Sequence, residues 1–245
     1  MSTDDYRDSH KSSGGHYDQT IFSSPFDAFM DKQEARALTW ALSRFFPDGV
    51  PRYLDFACGT GRITQRVEPS AKESVGVDVS ETMLAVARGK CPGTRFVCAD
   101  ITREDLDLGL FDLVTSFRFF GNAQDDLRSS VLSAINRRLR PGGYLIINNH
   151  RNPQSFLGIA SQSTAEGKQL DLSHAKLKAL LRRHGFEIAF QRAIGFWIFR
   201  FRLTTTGILE SAPANWLECA FAHSWFAPFS PDALIVARKI GGAGG

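Results

Sequence analysis

Cysteine is scarce in this chain. Only Cys58, Cys91, Cys98 and Cys219 occur, no two at C-x-x-C spacing, and no histidine cluster accompanies them. That excludes a disulfide framework or a zinc finger as the organising principle. It points to a reducing compartment, the cytoplasm, and no metal site is expected. Long apolar runs are missing too; none approaches the roughly 18 residues that span a bilayer. The N-terminal stretch "MSTDDYRDSHKSSGG" has no apolar h-region, so no secretory signal is expected. An excess of one charge is also absent. The net charge is +3, too small to argue by itself for a nucleic-acid partner. No internal repeat is visible.

What remains is an ordinary globular balance, 43% hydrophobic and 22% charged over 245 residues, enough for a sizeable core. Its one bias is phenylalanine, which occurs 20 times, with many in the last third. Short apolar runs alternate with helical stripes. Leu38, Leu42 and Phe45 form a stripe that Pro47-Asp48-Gly49 stops. Strands are read at Tyr53 to Phe56, Ser74 to Val77, Arg95 to Cys98, Phe111 to Thr115, Tyr144 to Asn148, Phe186 to Phe190 and Leu234 to Ala237. Helices are read after the glycines from Arg62, after Ser80, through Leu127, Val131, Ile135 and Leu139, and after Ser173. Pro141-Gly142-Gly143 reads as a turn. The expected fold is α/β, doubly wound, with a mostly parallel seven-stranded, Rossmann-like sheet. Residues 1–16 are expected to be a flexible tail, 17–240 a single domain and 241–245 a flexible end. Ligands of such sheets sit beyond the C-terminal strand ends, which selects residues 56–61, Asp78, Asp100, 116–122 and 148–151.

The first of these loops reads "LDFACGTGR", Leu54 to Arg62. Gly59 and Gly61 permit a sharp turn and close approach of a ligand to the backbone. A P-loop would need a lysine after Gly61, and none follows. A dinucleotide fingerprint would need a third glycine where Thr64 stands, which disfavours a nicotinamide oxidoreductase. A nucleoside without phosphates is left. Asp55 could pair with a cationic amine on it, Asp78 could accept both ribose hydroxyls, and Asp100 suits the exocyclic amine of adenine. Each acid could instead cap a turn; three at successive strand ends favour binding.

"LDFACGTGR", "VGVDVSETML", "FVCADIT", "FDLVTSF" and "LRPGGYLIINN" resemble, in order and spacing, the class I S-adenosylmethionine-dependent methyltransferases. The resemblance covers about Tyr53 to Asn149 and implies S-adenosyl-L-methionine as cofactor, with S-adenosyl-L-homocysteine as product. It implies that Asp55, Gly59 and Gly61 line the methionine part and that Asp78 binds the ribose. Val79 and Met83 would flank the adenine, Asp100 and Ile101 its edge, and Phe117 would lie beneath the cofactor. The family pattern D/E-x-G-x-G-x-G has Ala57 in place of its first glycine, a departure that is tolerated if φ there is negative.

The implied reaction is methyl transfer to a nucleophile, in which the protein supplies alignment and excludes water. After the fifth strand, "NNHRN" offers His150 as a base and Arg151 as a holder of a carboxylate or phosphate. After the fourth, "SFRFFGNA" offers Arg118 and Asn122 as substrate contacts, with Asn122 also read as a cap for the helix from Asp125; Phe119 and Phe120 read as packing. The N/D/S-P-P-Y/F pattern of amino-methylating nucleic-acid enzymes in this family is missing there, which argues against a flipped-base substrate. Lid segments are expected at about 17–46, 151–171 and 195–231. Tyr17 would close over the cofactor, and Phe196 and Trp197 would open an aromatic cap over a small, partly apolar acceptor. A homodimer interface is the rival use of those aromatics. A protein or nucleic-acid methyltransferase, or a non-catalytic cofactor-binding protein, are the alternative functions.

Overall fold

The computed structural model describes residues 25–104, 106–150, 152–155, 172–195, 211–222 and 224–241. Tyr17, Arg151, Phe196 and Trp197 lie outside them. The described residues open with α1 (Pro25–Phe45), followed by β1 (Val50–Phe56), the single turn α2 (Thr64–Val67), β2 (Ala71–Asp78), α3 (Glu81–Lys90), β3 (Thr94–Cys98) and β4 (Phe111–Ser116). It continues through α4 (Asp125–Arg138), β5 (Leu139–Asn149), α5 (His174–Arg183), β6 (Phe186–Ile194), α6 (Ala212–Ala222) and β7 (Asp232–Lys239). The strands form one seven-stranded sheet in the order β3-β2-β1-β4-β5-β7-β6. The first five pair in parallel; β7 runs antiparallel between β5 and β6.

The continuous apolar strands follow from burial on both faces. On β5, Leu145 and Ile147 join a core with Leu54, Val114, Ile135 and Leu177, under α4 and α5. Ile146 points the other way, into a core with Tyr53, Leu113, Leu38 and Leu42, under α1. The order of strands reverses between β1 and β4, and the crevice at such a reversal is where a ligand settles.

Local signals mostly act as expected. Ser80 caps α3 by accepting from the Met83 amide, and Ser173 caps α5 by accepting from the Lys176 amide. Gly185, at φ +80°, ends α5. Four readings are corrected. The turn read at Pro141–Gly143 lies inside β5, which starts at Leu139 and bulges there: Phe111 faces Leu139, yet Leu113 already faces Tyr144. Leu139 is therefore a strand residue, not the end of α4. Gln124, not Asn122, occupies the N-cap of α4. The helix expected from Arg62 shrinks to α2, four residues followed by a 3-10 turn at Glu68–Ser70. So short a helix brings little dipole to the loop before it.

Candidate functional site

The ends of β1, β2 and β4, with the residues after β3, line a cleft of about 960 Å³ including its open mouth. Asp55, Ala57, Gly59, Asp78, Val79, Met83, Asp100, Phe117 and Arg118 all line it. Residues predicted from four separate stretches of sequence are thus brought together. Gly61, Ile101, Asn122 and His150 are not among the lining residues.

The loop after β1 turns through three left-handed residues, Ala57 (φ +55°), Gly59 (φ +55°) and Gly61 (φ +78°). The expected negative φ at Ala57 is therefore wrong. An alanine there costs on the order of 1–2 kcal/mol, because its Cβ crowds the following carbonyl. Gly61 answers a different need. A Cβ on it would meet Ala87 Cβ at 3.1 Å and Ala87 Cα at 3.3 Å, so the glycine lets the loop lie against α3 instead of a ligand. Ile101 belongs to the core under α4.

Asp78, at the end of β2, fixes this loop. Its Oδ2 accepts from the Gly59 amide at 2.8 Å and its Oδ1 from the Ser80 amide at 2.9 Å. The carboxylate is held at the cleft by backbone donors on both sides, with Val77, Val79 and Met83 forming an apolar wall beside it. Asp100 is fixed similarly, by the amide (2.9 Å) and hydroxyl (2.6 Å) of Thr102 on its Oδ1.

Asp55 departs from its expected pairing with a cationic amine. It is 2% exposed. Thr64 donates to its Oδ2 at 2.6 Å and Thr115, its cross-strand neighbour on β4, to its Oδ1 at 2.7 Å. Tyr53 in turn lies 2.7 Å from the Thr115 hydroxyl. Burial pushes the Asp55 carboxyl up to about 6, against the pull of the two hydroxyls. Thr64, which stands where a dinucleotide loop would have its third glycine, therefore ties the acid to α2.

A polar network missed from sequence braces the cleft. On α1, Asp31 and Glu34 are buried and both accept from Nη1 of Arg62, at 2.6 Å each. Arg66 also donates to Asp31. Burial alone would lower the pKa of Arg62; Glu34 and Asp31 more than reverse this and hold it charged. Glu34 then accepts from Asn148 Nδ2 at 2.6 Å, and Asn148 Oδ1 accepts from the Arg118 amide at 2.6 Å. Arg118 is itself left-handed, at φ +58°, and its carbonyl accepts from Asn122 Nδ2 at 2.7 Å. The signal that would have found the acids is their spacing. Asp31, Glu34 and Leu38 stand at i, i+3 and i+7, so the carboxylates lie on the apolar stripe of α1.

Asn122 also lies 3.3 Å from His150 Nε2, and His150 packs over Gly121, whose added Cβ would meet His150 Cε1 at 3.0 Å. A second histidine, His174, is buried at the start of α5. Asn149 Nδ2 donates to its Nδ1 at 2.9 Å, which leaves Nε2 to donate to the Ser230 carbonyl at 3.1 Å. Burial pushes it down to about 4, so it is a neutral strut between α5 and the segment before β7. Among the described aromatics of the expected C-terminal cap, Trp216, Trp225, Phe226 and Phe229 are exposed, and none of them lines the cleft.

Residues 54–143 match a family model described as "Methyltransferase domain". That segment is similar to methyltransferase domains, and the chain shares the fold of S-adenosylmethionine-dependent methyltransferases. The ubiquinone biosynthesis O-methyltransferase of Pseudomonas aeruginosa strain LESB58 is 30% identical to this chain over 113 residues, 43% of this chain and 47% of that one. The chain thus spans about half the length of the curated relatives it matches. Magnesium protoporphyrin IX methyltransferase from Synechocystis PCC 6803, solved with bound S-adenosylhomocysteine, shares the fold at a TM-score of 0.64 and 15% identity, over 95% of this chain and 97% of that one. The [4+2]-cyclase SpnF shares it at 0.56 and 22% identity, over 85% and 81%. A cyclase on the same fold means that the fold by itself does not fix the reaction, and the site must be argued from its residues.

Proposed function

We propose that this chain is an S-adenosyl-L-methionine-dependent methyltransferase of a small, partly apolar acceptor. The observation that carries the reading is the Asp78 carboxylate, held at the cleft by the Gly59 and Ser80 amides beside the apolar wall of Val77, Val79 and Met83. That set fits an adenosine. Asp78 accepts the ribose hydroxyls, Val79 and Met83 pack on the adenine, Asp100 faces its amine, and the loop from Ala57 to Gly59 presents backbone to the methionyl part. Phe117 lies beneath. The bound cofactor supplies an already activated methyl group. The protein's share is to hold donor and acceptor in line and keep water out. Where the acceptor keeps its proton near neutral pH, His150 is the base in this reading, and to act it must give up its contact with Asn122 and turn into the cleft, which it does not line here.

The methyltransferase named for ubiquinone biosynthesis and the one named for magnesium protoporphyrin IX both act on small molecules by name, which supports a small acceptor here. Residues 17–240 form one domain in this reading, with Tyr17 assigned to the cofactor and Arg151, Phe196 and Trp197 to the acceptor; all four lie outside the described residues. No helix among the described residues is long and apolar enough to cross a membrane, and a cytoplasmic enzyme fits that and four cysteines that form no disulfide among the described residues. The exposed Trp216 and Trp225 favour a homodimer contact over a cap. Calorimetric titration tests the reading. S-adenosylhomocysteine is expected to bind and NADH not to; the reverse overturns it.

A further inference from the structure

We propose that the acceptor is an anion and that Arg118 selects it, an inference that rests on the methyl-transfer reading above. Five charged residues line the cleft, Asp55, Arg62, Asp78, Asp100 and Arg118. Four are engaged by the fold. Arg62 is clamped by Asp31 and Glu34, Asp55 by Thr64 and Thr115, Asp78 by two amides and Asp100 by Thr102. The Arg118 guanidinium makes no ion pair or hydrogen bond to any described residue; this residue is bonded through its amide and its carbonyl. A half-buried guanidinium with five donors is a ready partner for a carboxylate or phosphate, which it meets in a bidentate fork.

The backbone strengthens the case. At φ +58° a glycine would sit without strain, whereas the Cβ of an arginine crowds the following carbonyl. The conformation is imposed by Asn148 on the amide and Asn122 on the carbonyl, and Asn148 is itself held by Glu34. Nothing in the backbone asks for a long cationic side chain there. Strain that the surroundings over-determine collects at functional sites. The same network that clamps Arg62 therefore sets the position of Arg118 beside Phe117 and Phe119, which supply the apolar part of the acceptor's surface. The ligand chemistry is an anionic group on an apolar, aromatic-sized body.

A carboxylate facing Arg118 has two sources, the acceptor and the methionyl end of the cofactor, and the experiment separates them. Benzoate and phenyl phosphate, with benzamide as the neutral match, are titrated by NMR into the full chain, both free and saturated with S-adenosylhomocysteine. Wild type is expected to bind benzoate at least about tenfold more tightly than benzamide, near 1.4 kcal/mol. Arg118→Gln should bring that ratio close to one and leave S-adenosylhomocysteine affinity unchanged. Arg118→Gly guards against misfolding: glycine takes the left-handed backbone freely, so its melting temperature should not fall while the anion preference is lost. No anion preference in wild type overturns the proposal. So does a preference that survives both variants, or a loss of S-adenosylhomocysteine binding in Arg118→Gln, which would hand Arg118 to the cofactor. If wild type fails to bind S-adenosylhomocysteine, the methyl-transfer reading falls, while the anion arm on the free chain still decides Arg118.

Discussion

The two sides of the cleft are built differently. At the ends of β1, β2 and β3 the acids are fixed from close by: Asp55 by its cross-strand neighbour Thr115 and the next helix, Asp78 by the amides of the adjoining loops, Asp100 by Thr102 two residues on. At the ends of β4 and β5 the fixing comes from far away in sequence. Asn148 reaches Glu34 on α1 across 114 residues, and through it the Arg118 backbone is held left-handed. Both sides touch the N-terminal helix, the first through Arg62 on Asp31 and Glu34 and the second through Asn148 on Glu34, but only the second relies on it to set a backbone conformation at the cleft. In the methyl-transfer reading proposed above, the first side holds the cofactor and the second the acceptor, so the acceptor changes by altering two loops and their tie to α1.

The largest effect that could break the comparison is at the clamp. Arg62→Ala leaves Asp31 and Glu34 as buried carboxylates short of a cation, and is expected to destabilise the chain by about 3–5 kcal/mol, read as a fall in the urea midpoint. A loss below about 1 kcal/mol would show that the helix does not depend on the loop.

Next is the pH response, where two buried groups act with opposite sign. Asp55 titrates near 6 in the fold against an ordinary 3.8, so between these values the native state holds the extra proton and stability falls as pH rises. His174 titrates near 4 against an ordinary 6.5, so the unfolded state holds the extra proton and stability rises with pH. Each is worth on the order of 3 kcal/mol across its window, and in wild type they largely cancel. Asp55→Asn should leave a curve that rises from pH 4 to 6.5, and His174→Gln one that falls from pH 4 to 6. Parallel curves for the two variants would contradict both assignments.

A smaller effect lies in the loop. Ala57→Gly removes the left-handed strain at φ +55° while loosening the unfolded chain, for a net gain of about 0.5–1 kcal/mol in a thermal melt. A loss would mean that the methyl group packs more usefully than its backbone suffers. The smallest is at the surface: Trp225 is 96% exposed, so Trp225→Ser should move stability by less than about 0.5 kcal/mol. A drop in apparent mass by light scattering in the same variant would place it between copies of the chain.

The cofactor side was legible because its signals are local. Strand ends, acids and glycines follow one another in short stretches, and period-two or buried runs separate them. Even there, local reading erred where a tertiary need was hidden: Gly61 serves the approach of α3, Asp55 is taken by Thr64 and Thr115, and Ala57 accepts a backbone that glycine would suit better. The bulge that carries Pro141 to Gly143 into β5 depends on its pairing with β4, which no nearby residue announces. The acceptor side was hard to read for the same reason that it is adaptable. The link from Asp31 and Glu34 to Arg62 and Asn148 has no spacing rule, only the oddity of acids on an apolar stripe.

The central claim is tested most directly by calorimetric titration of S-adenosylhomocysteine into wild type and Asp78→Ala. Wild type should bind, and the variant should bind on the order of 30-fold or more weakly, because the ribose hydroxyls lose a charged acceptor. Equal affinity in the two proteins, or no binding to wild type, would contradict a cofactor seated on Asp78.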